Sequence, residues 1–321
     1  MKIIGAGLSG LLAGAMIPGS TIYEKQGSLP HNHGAILRFR SDKISRALGI
    51  PFKKVRVTKA IWYDGQEVQP TPRIQNMYSH KVLGEYNARS IRDIEPVDRW
   101  IAPDDFIEQL AKRCTIVFHR PYPNQVPAGK PLISTIPMPV LINQVKPLIS
   151  TIPMPVMINQ VMDNPEYKFA KFKRAPIWTR TLTFEDNVDL YQTIYFPGPE
   201  TCLYRASFTG NKLILEYIRN PNETDDVAPV WQAFGLEPVI EFEPEKTTKK
   251  EEYGKIVPID NLIRRSIMAQ LTREHNIYSL GRYAVWRNIL LDDVFDDIRR
   301  IKEMVQMDSY SRHMALAEEK S

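Results

Sequence analysis

The sequence predicts an α/β fold: a parallel sheet layered with helices, into which an antiparallel sheet is inserted as a second domain. Three observations predict it. Residues 2–24 read as strand, glycine-rich turn, helix and strand. Residues 186–219 read as three strands joined by tight turns. Residues 277–280 form a last apolar strand, followed by a long helix with one apolar face.

The elements follow in chain order. Residues 2–5 are a short apolar strand, 8–17 a helix of Leu, Ala and Gly, and 21–23 a strand closing at Glu24. A Gly/Pro/His/Asn loop spans 26–34, Ala35–Phe39 alternates like a strand, and 43–48 suits a short helix. Residues 52–68 are strand-like with a turn at Asp64-Gly65, and 70–100 show no clear period. Pro103-Asp104-Asp105 opens a helix whose apolar face is Phe106, Ile107, Leu110 and Ala111, and Thr115–Phe118 reads as a core strand. Residues 130–145 and 146–161 are a tandem copy that differs only at Leu141 against Met157. Two short copies cannot build a solenoid, so this reads as a recent duplication or an assembly artefact, not a working repeat. One copy should supply a core strand, Leu132 to Ser134 or Leu148 to Ser150. The meander runs through Leu190–Phe196, Cys202–Phe208 and Leu213–Arg219, with turns at Pro-Gly-Pro and Thr-Gly-Asn. Residues 222–252 suggest a helix and loops. The last helix starts near Asp292 or Asp293 and aligns Val294, Phe295, Ile298, Ile301 and Val305.

Composition narrows the class. The chain has 321 residues, enough for two domains, with 43% hydrophobic and 25% charged residues. No apolar run reaches the ~18 residues of a membrane span, so no membrane partner is expected. The apolar stretch 3–17 is read as part of the fold and not as a signal peptide, because glycines punctuate it at fixed offsets. Cys114 and Cys202 form no CxxC pair and are expected as free thiols in a cytoplasmic protein. No metal-ligand spacing is present. A net charge of +5 suits an anionic cofactor or substrate. It would also permit a nucleic-acid partner, but no basic stripe interleaved with aromatics supports one.

Gly5, Gly7 and Gly10 form a GxGxxG turn between a strand and a helix, and Glu24 ends the next strand about 20 residues on. This is the context of a Rossmann-type dinucleotide site. Gly5 permits the tight turn, Gly7 lets the backbone approach a diphosphate, and Gly10 lets helix and strand pack closely. The helix start at Leu8 and Ser9 presents unpaired N–H groups to the phosphates. Glu24 would accept from ribose hydroxyls, with Lys25 beside it.

The glycine turn alone does not separate NAD from FAD. The closing segment adds Gly281-Arg282-Tyr283-Ala284-Val285-Trp286, then Leu291-Asp292-Asp293-Val294 opening a helix. With the opening residues, this resembles the amine-oxidase-like FAD superfamily, and within it the UDP-galactopyranose mutases most of all. The resemblance covers about the first thirty residues and 277–300, and the segment 130–161 loosely. It implies FAD as the cofactor, with Gly281 and Arg282 near its diphosphate and Asp292, Asp293 and Val294 near the ribityl chain and the flavin pyrimidine edge. A helix N-terminus there suits the negative charge of a reduced flavin. It also implies that Ser134-Thr135-Ile136-Pro137, or its copy Ser150-Thr151-Ile152-Pro153, forms a strand-to-Pro turn by the cofactor.

No catalytic group can be read from spacing. His33, in the His31–Gly34 loop, has the right intrinsic pKa to shuttle a proton or help place a substrate, but a polar surface loop is the favoured reading. Arg38 and Arg40 alternate on the following strand, where one would face an anionic group or both would be exposed on the surface. Tyr204, Arg205, Glu216 and Tyr217 are candidates for the substrate wall, with sheet packing and an Arg/Glu cross-strand pair as the plainer reading. Trp62, Trp178 and Trp286 are read as core.

The expected division is a discontinuous FAD-binding domain (1–50, 93–165 and 256–307), a substrate domain (51–92 and 166–255) and a polar tail (308–321). The expected activity is that of a FAD-dependent oxidoreductase removing a hydride from a C–N or C–O bond of a small substrate. Three alternatives stay open: a non-redox, mutase-like flavoenzyme acting on a nucleotide sugar, a flavoenzyme modifying nucleotides or nucleic acid, and a flavin-free scaffold.

Overall fold

The computed structural model describes residues 1–29, 37–86, 91–120, 132–135, 172–184, 189–221, 227–236, 248–308 and 311–312. β1 (Lys2–Ile4) leads into α1 (Leu8–Met16) and β2 (Thr21–Tyr23). β3 (Arg38–Phe39) and α2 (Lys43–Leu48) precede β4 (Lys53–Tyr63), which turns back as β5 (Gln66–Glu67) through Asp64 and Gly65, both at positive φ. Then come α3 (Pro72–Leu83), β6 (Val97–Ile101), α4 (Phe106–Ala111), β7 (Thr115–Val117) and β8 (Leu132–Ser134). β9 (Arg174–Thr183), β10 (Leu190–Tyr195), β11 (Leu203–Gly210) and β12 (Lys212–Tyr217) lie next. α5 (Ala228–Phe234), β13 (Lys249–Ile256), α6 (Asn261–His275), β14 (Ile277–Ser279) and α7 (Leu291–Gln306) complete the order.

The first sheet is five-stranded and wholly parallel, in the order β14-β8-β1-β2-β7. In chain order that is 5-4-1-2-3, the arrangement of a doubly wound fold. The path reverses between β1 and β8, so the crevice above their carboxyl ends is where such sheets take ligands. Leu11, Leu12 and Ala13 of α1, Leu110 of α4 and Val294, Ile298 and Ile301 of α7 bury one core with Ile3, Ile22 and Ile133. The first copy of the tandem repeat supplies β8, and Leu132–Ser134 pairs with both β1 and β14. The second copy lies outside the described residues. Thr115–Phe118, expected as a core strand, is instead the half-buried edge strand β7.

The second sheet has nine strands, in the order β13-β9-β12-β11-β10-β4-β6-β3 with β5 on β4. The expected meander is antiparallel through β10, β11 and β12, and one further pair makes the sheet mixed: β10 runs parallel to β4 (Ile194 opposite Ala60). Between β4 and β10 the chain supplies β6 and β9 to this sheet and β7 and β8 to the first, and so long a connection permits a parallel pair. Two helices cover the sheet on opposite faces. Val230 and Trp231 of α5 pack on Leu213, Leu215 and Phe208, while Ile74, Tyr78 and Val82 of α3 pack on Ile61 and Tyr204. α3 falls in the stretch that gave no clear period, yet its punctuation is complete. The Thr71 hydroxyl accepts from the Ile74 amide (3.3 Å), Pro72 opens the first turn, and Gly84 ends the helix at φ +68. Among the described residues no helix is long and apolar enough to cross a membrane.

Candidate dinucleotide site and the polar sheet face

The glycine turn is shaped by three different constraints. Gly5 holds φ +90, and a β-carbon there would lie 2.5 Å from the Thr135 hydroxyl. At Gly10 a β-carbon would stand 1.9 Å from the Gly5 carbonyl oxygen, so no side chain fits between α1 and the turn. A β-carbon at Gly7, in contrast, would meet no atom within 4 Å. Its backbone is extended (φ −66, ψ 173) and its missing side chain leaves open space in front of the helix. α1 has no side-chain cap and no acidic residue in its first turn. Its first intrahelical bond runs from the Leu11 amide to the Gly7 carbonyl (2.9 Å), so the amides of Leu8, Ser9 and Gly10 have no helical acceptor. An uncapped helix start behind an open glycine fits a diphosphate, and the residues present pass that test.

Glu24 sits beside this turn. Its carboxylate accepts from the Ala6 amide (2.7 Å) and the Gln26 amide (2.9 Å), which pins the turn to the end of β2. A carboxylate offers about four lone-pair sites, so capacity remains for a ribose hydroxyl. Lys25 is exposed at the edge of the same loop, and His33 lies outside the described residues.

The closing segment reaches the same point. Gly281 has φ +92, and a β-carbon on it would sit 2.5 Å from the Ser9 hydroxyl oxygen and 2.9 Å from Ser9 Cβ. The turn after β14 is therefore pressed against the first turn of α1. Arg282 reaches the Asn288 side-chain oxygen (3.2 Å) and lies 5.4 Å from the centre of the Tyr283 ring. At α7 the amides of Asp293 and Val294 both donate to the Leu290 carbonyl (3.1 and 3.2 Å). The Val294 side chain is core. Leu291 and Asp292 therefore carry the amides free of helical bonding. Asp292 is 2% exposed, and its carboxylate accepts from the Arg40 amide (2.9 Å), the Ser41 amide (3.2 Å) and the Ser41 hydroxyl (3.1 Å). Its role in the structure is to fix the chain after β3. Asp293 accepts from the Leu290 amide (2.8 Å) and pairs with the Arg40 guanidinium.

The fold is shared with a UDP-galactopyranose mutase. The reduced form of that enzyme matches over 99% of this chain and 97% of its own, with a TM-score of 0.69 at 13% identity. An oxidoreductase from Methanosarcina mazei matches over 94% and 100% (TM-score 0.56, 10% identity), and a CLA-producing fatty acid isomerase from P. acnes over 95% and 97% (TM-score 0.54, 12% identity). At these identities the likeness is one of fold. No protein-family model and no curated protein matches the sequence.

One face of the second sheet carries an array of polar groups. The strand register sets Tyr195 opposite Arg205, Arg205 opposite Glu216, and Thr193 opposite Ser207. A bulge between Leu203 and Arg205 brings Tyr204 to the same carboxylate. The Tyr204 hydroxyl donates to Glu216 (3.0 Å) and Arg205 pairs with it. Burial alone would raise the Glu216 pKa, but the charges of Arg205 and Lys255 overcome that and hold it at about 2. Lys255 is itself buried, with its ammonium 4.8 Å from the centre of the Tyr204 ring. Arg38 reaches over from β3 and donates to the Thr193 hydroxyl (2.7 Å), the Phe208 carbonyl (2.6 Å) and the Thr209 hydroxyl (2.9 Å). Burial and the neighbouring charge of Arg205 lower its pKa to about 10. Arg38, Arg205 and Lys255 thus share this face with one carboxylate.

Of the expected wall residues, Arg38, Tyr204, Arg205 and Glu216 come together. Tyr217 does not: it packs on the opposite face with Leu213 and Leu215, its ring 5.5 Å from the Arg180 guanidinium. Trp286 is fully buried and donates to the Val257 carbonyl (3.0 Å), as a core residue should. The sequence reading missed Lys255 and Thr193. Lys255 lies in β13, which alternation did not reveal. A sequence signal did exist for Glu216, the one acidic residue in the otherwise apolar run Leu213–Tyr217. Among the described residues no group of side chains could hold a metal, and Cys114 and Cys202 form no disulfide.

Proposed function

We propose that this chain is a FAD-dependent enzyme acting on a small anionic organic molecule. The carrying observation is the contact of Gly281 with Ser9. It joins the two distant segments on which the likeness to the FAD superfamily rests, at a helix start open to a diphosphate. The amides of Leu8, Ser9 and Gly10 would hold the diphosphate, Glu24 the ribose, and the start of α7 the flavin's pyrimidine edge. FAD, when bound, supplies the capacity to take up or release a hydride.

The chain's own residues account for the substrate side. Arg38 sits three residues before Ser41, whose amide is bound by Asp292 at the start of α7. Three steps of extended chain span at most about 11 Å. The cationic sheet face therefore lies within a substrate's length of the flavin end. Arg38, Arg205 and Lys255 outnumber Glu216 there, which favours a substrate carrying a carboxylate or phosphate. Tyr204 and Thr193 would orient it by hydrogen bonds.

The reaction we propose is removal of a hydride from a C–N or C–O bond. Anaerobic mixing of the yellow protein with anionic amino acids, hydroxy acids and sugar phosphates tests it, and bleaching of the flavin by one class is the expected result. Failure of every class would overturn it. A second, non-redox reading is favoured by full-length likeness to a mutase and an isomerase. Its signature is turnover of a nucleotide sugar or other substrate that requires pre-reduced protein and consumes no reductant.

A further inference from the structure

The order of the first sheet gives a dinucleotide a direction. From β1, whose turn would meet the diphosphate, the sheet runs to β8 and β14 on one side and to β2 and β7 on the other. Gly281, which presses on Ser9, follows β14 on the first side. Glu24 follows β2 on the second. With the ribose at Glu24, the base beyond it is aimed at the end of β7, one strand further out. The chain there is tied to the Glu24 loop by main-chain bonds. The Glu24 amide donates to the Val117 carbonyl (3.0 Å), the His119 amide to the Gln26 carbonyl (3.2 Å) and the Arg120 amide to the Glu24 carbonyl (2.9 Å). His119 holds φ +54, a left-handed backbone uncommon in a residue with a side chain. Its imidazole fills the place of the side chain that Gly27 lacks: a β-carbon on Gly27 would stand 2.3 Å from His119 Cε1 and 2.6 Å from Nε2. His119 is otherwise exposed, and among the described residues its imidazole makes no hydrogen bond, ion pair or ring contact. A flat ring is thus laid on a glycine beside the ribose loop, on a fixed backbone, with an open side.

We propose that the His119 ring is the platform on which the adenine of the cofactor stacks, with Gly27 keeping the ring close against the loop that holds the ribose. This assignment rests on the dinucleotide site proposed above and adds two residues that lie outside both the glycine turn and the closing segment. Neighbouring strands lie about 4.8 Å apart, so a ring at the end of β7 is within reach of a base joined to a ribose at Glu24. Stacking needs only two flat faces and no hydrogen bond, which suits a ring whose nitrogens have no partner. Gly27 is required for space and not for backbone freedom, since any side chain there would push the imidazole away.

The test is calorimetric titration of the flavin-free full chain with ADP and with inorganic pyrophosphate, at constant ionic strength. ADP carries diphosphate, ribose and base, whereas pyrophosphate carries the diphosphate alone. His119→Asn removes the ring but keeps a residue type that accepts a left-handed backbone. It should weaken ADP binding at least ~5-fold and leave pyrophosphate binding within about twofold of the parent. His119→Phe should restore ADP binding, because it restores a flat face. Gly27→Ala should weaken ADP in the same way, and the displaced atoms are the free end of a side chain, so the fold should persist. Gly7→Val should weaken both ligands. ADP binding that His119→Asn leaves unchanged while Gly7→Val abolishes it would overturn the platform and leave the dinucleotide site standing. A loss in His119→Asn that extends equally to pyrophosphate, or that His119→Phe does not restore, would also overturn the platform. A parent protein that binds neither ligand would overturn the dinucleotide site and the platform together.

Discussion

Gly7→Val and Gly10→Ala should fail in opposite ways. At Gly7 the backbone is extended, and a new β-carbon meets no atom within 4 Å. The folded apoprotein should therefore tolerate valine. Losing glycine at a helix N-cap costs something near 1 kcal/mol, and the stiffer unfolded chain gives part of it back. Cofactor binding should suffer far more. The valine methyls would occupy the space in front of the Leu8, Ser9 and Gly10 amides, and charged hydrogen bonds of about 1.5–3 kcal/mol each would be lost. Two such bonds are worth about 3–6 kcal/mol, roughly a 10²–10⁴-fold rise in Kd. At Gly10 the geometry is reversed. A β-carbon 1.9 Å from the Gly5 carbonyl oxygen forces α1 off the sheet, at a cost above about 3 kcal/mol. Fluorescence titration of apoprotein with FAD and chemical denaturation separate the two outcomes. A Gly7→Val protein that binds FAD within threefold of the parent would refute the assignment, and so would a Gly10→Ala protein as stable as the parent.

Glu216 has its pKa held at about 2, below the ordinary 4.5, so its contribution is present above pH 4.5 and disappears as pH falls towards 2. It amounts to about 3 kcal/mol at most, and Glu216→Gln should flatten the denaturation midpoint across that window while destabilising the protein at neutral pH. Lys81 donates to the carbonyls of Phe196 (2.9 Å), Gly198 (2.6 Å) and Leu203 (2.6 Å), tying α3 to the β10–β11 connection; Lys81→Met should cost about 3 kcal/mol by thermal or chemical unfolding. Asp292→Ala should cost about 2–4 kcal/mol by releasing the Arg40 and Ser41 amides, and proteolysis should then cut near residue 40 first. Arg205→Gln should raise KM for an anionic substrate while leaving the FAD titration unchanged; an altered FAD titration would contradict the division of roles.

Much of the first sheet was legible because its signals are local. The turn at Gly5, Gly7 and Gly10 carries its constraint within six residues, and the apolar faces of α1 and α7 repeat at helical spacing. The second sheet was less legible for a physical reason. Its partners lie far apart in sequence, so β13 is a strand because of its pairing with β9, not because of its own alternation. β13 reads KKEEYGKI, a charged run that single-sequence patterning assigns to a loop. Yet β13 brings Lys255 to the Glu216 carboxylate. α3 shows a different limit. Thr71, Pro72 and Gly84 mark its ends, but Arg73, Gln75, Asn76, His80 and Lys81 dilute the apolar stripe of Ile74, Tyr78 and Val82. Reading caps ahead of periodicity would have found it.

The candidate site was legible in its two halves but not in what joins them. The segment Arg38–Ser41 gives no motif, and its two arginines alternate as they would on any exposed strand. In the fold each residue of the segment answers to a different body. Arg38 is gripped by β10 and β11, Phe39 is buried in the core of the first sheet, and Arg40 and Ser41 are held by the opening turn of α7. Four consecutive residues thus fix the distance between the flavin edge proposed at α7 and the cationic face proposed for the substrate. Because Asp292 is buried and meets backbone amides, that distance is set by main-chain bonds and not by a flexible surface ion pair. A rigid spacing between cofactor and substrate is what hydride transfer or isomerisation requires, since reacting atoms must be held within about 3–3.5 Å. The acidic pair at Asp292 and Asp293 therefore divides its work. One carboxylate holds the two halves of the site in register, and the other closes the helix start and pairs with Arg40 at the rim.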